Sequence, residues 1–112
     1  MEASAIGVEP TNQATALTVT NKNTYIQLNW TDATGAQLPD GYIIMANTTG
    51  AFTDPVDGTD ITSDNNLTDG VGAIKVSQGV QTYSGWTNYK YPVTYYFKIY
   101  SYTNSGTSIN YK

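Results

Sequence analysis

Thr24-Tyr25-Ile26-Gln27-Leu28-Asn29-Trp30 alternates without a break. Ile26, Leu28 and Trp30 share one side of an extended chain, and Gln27 and Asn29 share the other. Successive side chains of a strand point to opposite faces, so the pattern predicts a strand with one face buried and one wet. Trp30 ends the inward series and is predicted to anchor the core, because its ring carries a large apolar area. Working outward, Asp32-Ala33-Thr34-Gly35 and Pro39-Asp40-Gly41 supply turn chemistry. Tyr42 to Asn47 then reads as a third strand. On the other side, residues 14–20, with Ala14, Leu17 and Val19 among threonines, read as a first strand.

The rest of the chain repeats this grammar. Residues 50–70 are rich in Asp, Gly, Asn and Thr and read as loop with at most one short strand. Gly72 to Ser77 alternates with Ile74 and Val76 on one side, and Val80 to Tyr83 is a further short strand. Thr94 to Thr103 is the longest run, and Ser108 to Tyr111 a last one. No window holds apolar residues at helical spacing, so almost no helix is predicted. The fold class is all-β, a sandwich of about seven antiparallel strands.

Composition narrows the chemistry. The chain has 112 residues, the size of one domain, with no Cys, no His and no Arg. No disulfide framework or thiolate nucleophile can form. The usual acid–base group near neutral pH is missing, and so is the bidentate reader of phosphate or guanine. Net charge is −4 and unevenly spread: all nine carboxylates lie within residues 1–74 with one Lys, whereas residues 75–112 carry four Lys and no acid. An acidic balance argues against nucleic acid as partner. No apolar run is long enough to span a membrane. Residues 1–8 read as a disordered or appended segment, and residues 9–112 as the domain.

These strands resemble a fibronectin type III module. The resemblance rests on Pro10, Trp30 in the second strand, and Tyr42-Ile43-Ile44 in the third. It also rests on Pro92-Val93-Thr94 leading into Tyr95-Tyr96-Phe97-Lys98-Ile99, followed by Asn104-Ser105-Gly106. Gly79-Val80-Gln81-Thr82-Tyr83 and Thr94 to Tyr100 are similar to modules of secreted, multidomain bacterial proteins. The resemblance implies a three-stranded sheet packed on a four-stranded one, and a buried tyrosine whose hydroxyl bonds to backbone upstream. Pro-x-Thr-x-Tyr spacing points to Tyr96 for that role. The period of two points to Tyr95, which we take, because a slip would expose Phe97 and Ile99 together. Trp86 stands where the family has an inward Leu, in a link that is longer and more aromatic than usual. Trp30, Tyr42, Trp86 and Tyr95 are therefore the structural positions. The resemblance implies a non-catalytic, extracellular module with no cofactor. Its expected partners are neighbouring domains of a parent chain or another protein.

Two constellations are candidates for function. If Phe97 and Ile99 point inward, Tyr96, Lys98, Tyr100 and Tyr102 point outward; if Tyr42 and Ile44 point inward, Ile43 and Met45 point outward. In the family these strands are neighbours, so six residues would form an exposed aromatic face able to dock a protein or stack on polysaccharide. The second is Asp54, Asp57, Asp60, Asp64 and Asp69, a density of oxygen ligands that Ca²⁺ could use. Their spacing matches no EF-hand, and the plainer reading is a solvated loop whose Asp residues make turns with their own backbone.

Overall fold

The computed structural model describes residues 8–22 and 24–112, so the expectation for residues 1–8 lies, apart from Val8, outside the described residues. Among the described residues seven strands form, together with one short 3-10 turn at Gly106–Ser108. The strands are β1 Thr15–Asn21, β2 Ile26–Thr31, β3 Gly41–Asn47, β4 Gly72–Ser77, β5 Thr82–Tyr83, β6 Tyr96–Thr103 and β7 Asn110–Tyr111. They make a three-stranded sheet in the order β1-β2-β5 and a four-stranded sheet in the order β4-β3-β6-β7. Every strand pairing in both sheets is antiparallel.

The sheets pack face to face. Ile26, Leu28 and Trp30 of β2 meet Tyr42, Ile44 and Ala46 of β3, Ile74 of β4 and Ile99 of β6 in one buried cluster. The alternation of β2 appears in its burial, with Gln27 and Asn29 half-covered on the outer side. Burying each large side chain contributes roughly 1.5–3 kcal/mol relative to leaving it in water. Trp30 lies edge-on to Tyr42, ring centroids 6.2 Å apart, a geometry that places a positive ring edge against a negative face. The Tyr42 hydroxyl accepts from Ala33 N–H at 2.7 Å and donates to Gln78 Oε1, so the buried phenol is satisfied at both ends. Burial pushes its pKa above the ordinary value.

Trp86 closes one side of the same core. It is 3% exposed and held between Tyr83 and Phe97, each with its centroid 5.4 Å away. Leu67, from the long β3–β4 connection, is buried in this cluster too. Tyr95 packs against it with its hydroxyl accepting from Lys90 N–H at 3.0 Å, whereas Tyr96 faces solvent at 46% exposure.

The strand ends differ from expectation mainly at the rims. The expected strands at Val80–Tyr83 and Ser108–Tyr111 shorten to two residues each, and Thr94 and Tyr95 precede β6 rather than open it. Gln81 takes a positive φ of 60° beside β5. Gly106–Ser108 closes a helical turn just before β7. Neither is the extended geometry of a regular ladder, although Trp30 N–H still donates to Gln81 C=O at 3.2 Å.

Candidate functional site

The outer face of the four-stranded sheet is set by the β3–β6 register. Ile43 stands opposite Tyr100, Met45 opposite Lys98, and Gly41 opposite Tyr102. The six residues expected to share this face do share it. Their exposure is the surprise: Ile43 is 0% and Tyr100 2% exposed, and Met45 and Tyr102 are half-buried. The expectation of an open aromatic face is therefore corrected. Tyr96 and Lys98, at the β6 N-terminal end, remain exposed. Ile109 and Tyr111 join Ile43 and Tyr100 in a second core, with Ile61 and Ala73 packed against it. Gly41 belongs to this arrangement, because a Cβ there would sit 2.7 Å from the Tyr102 hydroxyl.

What covers the face is the acidic connection between β3 and β4. It leaves β3 through Asn47, whose carboxamide oxygen accepts from Gly50 N–H at 2.8 Å. Asp54 then takes a bond from the Tyr100 hydroxyl at 3.2 Å. Asp57 accepts from Tyr111 N–H at 2.8 Å, and Gly58 N–H donates to Ile109 C=O at 2.8 Å. The Tyr111 hydroxyl reaches Thr59 C=O at 2.9 Å. Asp60 carries the densest knot. It pairs with Lys75 Nζ at 2.8 Å and accepts from Gly106 N–H at 2.8 Å. The returning leg pairs Asp64 with Ala73 beside β4. A band running from Asp54 to Asp64 thus lies across the sheet, fastened at β4, β6 and β7.

The uneven charge finds its use here. The acidic band lies on strands that carry Lys75 and Lys98. The Lys75–Asp60 pair is about three-quarters shielded from water at both side chains, so solvent screens its attraction less than that of an exposed pair, against a larger desolvation cost. The Lys98–Asp54 pair, at 3.9 Å and largely exposed, contributes little. Both ammonium groups also sit over rings, Lys75 5.5 Å from the Tyr102 centroid and Lys98 5.1 Å from that of Tyr100. The hydrogen bond from Lys75 holds the Asp60 carboxyl below the usual carboxylate range, with Gly106 N–H adding to it. Burial raises the Tyr100 and Tyr102 hydroxyls. Burial with nearby Asp60 pushes Tyr111 up to about 12.

This geometry also changes the reading of the five Asp residues. Among the described residues no three carboxylates gather where a cation could sit. Asp64 and Asp69 behave as the plainer reading expects, accepting from Asn66 and Val71 N–H two residues on. Asp54, Asp57 and Asp60 reach further: they bind β6, β7 and β4 and hold the band down, with Asp60 also accepting from the adjacent Ile61 N–H at 2.8 Å. Sequence reasoning treated the aromatic face and the acidic loop as two separate candidates, but the fold lays one on the other. It also passed over Ile61, Leu67, Ile109 and Tyr111. The available signal was the segregation of acids before residue 75 from lysines after it.

A second concave feature lies at one end of the sandwich, where the sheets part beside the Tyr89–Val93 turn. It is a cleft of about 280 Å³ lined by ten residues that include Val19, Ile26, Lys90, Tyr91, Tyr95 and Phe97. Its rim is apolar and wet: Tyr91 is 93%, Val19 50% and Val93 43% exposed. Comparison of the chain with models of protein families, with curated proteins and with solved structures gives no match.

Proposed function

We propose that the domain is a fibronectin type III-like, non-catalytic module of a larger secreted or cell-surface bacterial protein, acting as a spacer or a protein-contact domain. The observation that carries this reading is the strand order. A β1-β2-β5 sheet on a β4-β3-β6-β7 sheet is the three-on-four sandwich that the sequence resemblance implies. The Tyr95 hydroxyl bonded to Lys90 N–H supports it, being a tyrosine tied to backbone five residues upstream. Composition supports the absence of catalysis, since a chain without His or Cys lacks the commonest general base and nucleophile. The lack of Cys also suits a bacterial extracellular protein that relies on its core rather than on disulfides.

The sugar-binding alternative needed Ile43 and Tyr100 open to solvent, and both lie under the acidic band. Protein contact is favoured over it by the exposed apolar side chains grouped at the cleft, since such clusters mark interaction surfaces. The test pairs two measurements on the isolated domain. Incubated with chromogenic glycosides, esters and peptides, it turns over none above the blank. Mixed with the domains that flank it in its natural reading frame, it shows NMR shifts confined to one surface. Turnover that disappears on replacing a single surface carboxylate would overturn the reading.

A further inference from the structure

Three of the five aspartates in the acidic connection fasten it to other strands, and two leave their charge to the solvent. Asp64 and Asp69 each use one carboxylate oxygen on a backbone N–H, that of Asn66 at 3.1 Å and that of Val71 at 3.0 Å. Among the described residues neither has an ion pair. Residues 50–70 hold five carboxylates and no Lys, so the charge here stays negative. Both side chains are exposed and line a shallow hollow of about 180 Å³ with Asn66 and Thr68. Asp64 also borders a larger hollow of about 320 Å³, whose lining is mostly apolar. Met45 and Ala73, in register across β3 and β4, share its floor. Phe52, on the outgoing leg of the connection, and Val71, just before β4, stand at its sides. Both legs are pinned. The Asn47 carboxamide donates to Ala51 C=O at 2.8 Å and accepts from Gly50 N–H at 2.8 Å, and the backbones of Asp64 and Ala73 bond in both directions.

Every residue of the two hollows lies between Met45 and Ala73, on the β4 side of the sheet and away from β7. Val71 is 56% exposed at the mouth of the larger one, so apolar surface stands open beside uncompensated negative charge. We propose that the two adjoining hollows are a docking site for a segment of a partner protein that carries a large apolar side chain, of Leu or Met size, beside a Lys or Arg. The apolar side chain enters between Phe52 and Val71 and rests on Met45 and Ala73. The basic one lies across Asp64 and Asp69. Charge complementarity selects this occupant: a segment with a neutral neighbour leaves both carboxylates unpaired, and one with an acidic neighbour is repelled by them. The size agrees, because about 320 Å³ is at the small end of the range for ligand pockets and admits one anchoring side chain rather than a larger element. Burial of the anchor supplies the affinity, and the paired charge supplies the choice of partner. The site shares no residue with the cleft beside Tyr91. It therefore goes beyond the contact-domain reading, and its failure would leave that reading and the substrate screen above untouched.

The test uses the whole 112-residue chain and the capped peptide Ser-Leu-Ser-Lys-Ser, whose Leu and Lys share one side when it is extended. The peptide is used at millimolar concentration because a single anchor binds weakly. NMR is expected to show shifts at the Met45, Ala51 and Ala73 methyl groups and at the Asp64 and Asp69 amides. Exchanging the peptide's Leu for Ser should weaken binding by about tenfold or more. Val71→Ser, at an exposed position, should weaken it as well while leaving the melting temperature within a few degrees of wild type. Asp64→Asn combined with Asp69→Ser keeps an acceptor for each turn and removes both charges. That variant should bind up to about fivefold more weakly per carboxylate, and about 1 M salt should erase its difference from wild type. Unmoved Met45 and Ala73 signals at millimolar peptide would overturn the proposal, as would equal binding by a peptide with Glu in place of Lys. If isopentanol alone shifts the same methyl groups as strongly as the peptide does, the hollow takes a free small molecule and the proposed partner is wrong. A protein that sediments as a dimer, and as a monomer once Val71→Ser is made, would assign the site to a second copy instead.

Discussion

Ile43→Ala separates a covered outer face from an open one. Ile43 is 0% exposed and packs with Tyr100, Ile109 and Tyr111. On an open sheet face its truncation would be a surface change, worth within about 0.5 kcal/mol. Beneath the acidic band it removes buried carbon and leaves a cavity, at a cost of ~2–5 kcal/mol. One wall of this core is a loop that can settle inward, so the lower part of that range applies, roughly 2–3.5 kcal/mol. For a domain of about this length each kcal/mol moves the melting temperature by about 4 °C, so a fall of roughly 8–14 °C is expected. Ile44, the next residue, is also 0% exposed but faces the main core. Ile44→Ala is the internal reference, because it is costly whichever way the outer face stands. Thermal melts by near-ultraviolet circular dichroism, with urea titrations at constant slope, measure both. An Ile43→Ala protein melting within about 2 °C of wild type, beside a strongly destabilised Ile44→Ala, would refute the covered face and reopen it as a binding surface.

Two further outcomes follow from the same contacts. Trp30→Ala empties the middle of the sandwich and should cost ~3–5 kcal/mol; a melting temperature within a few degrees of wild type would show that Trp30 is not core. The Asp60 carboxyl has a depressed pKa in the folded state, so its stabilisation is present above the ordinary carboxylate value of about 4 and lost as pH falls through the lower folded value. Asp60→Asn should therefore be less stable than wild type at neutral pH, with the gap closing as both are melted at successively lower pH below about 4; a gap that stays constant with pH would mean that the Lys75 pair does not hold the band.

Much of this was readable beforehand because strand patterning is local. Ile26-Gln27-Leu28-Asn29-Trp30 shows its buried side through a period of two, and any partner sheet must cover that side. The same period placed Ile43, Met45, Lys98, Tyr100 and Tyr102 on one face, and β3 pairs with β6 in that arrangement. The preference for Tyr95 over Tyr96 as the inward tyrosine rested on keeping Phe97 and Ile99 inward with it, and the burial of the three follows that rule. At the candidate site the reading went astray. Periodicity tells which residues share a face, but not whether a loop distant in sequence returns to cover it. Asp57 meets Tyr111 across 54 residues of chain, a pairing that no window contains.

Alternation and turn residues, both local in origin, were enough to specify an all-β chain, the inward series on β2 and β3, and the division of residues between two faces. The missing His, Cys and Arg limited the chemistry with no structure needed. Tertiary structure alone decided that the aromatic face is a second core and that Asp54, Asp57 and Asp60 act as fasteners. These are long-range facts. They depend on where a flexible connection settles once the sheets exist, and its resting place minimises wet apolar area and unpaired charge together. That minimum belongs to the assembled surface, and no single segment of the chain carries it.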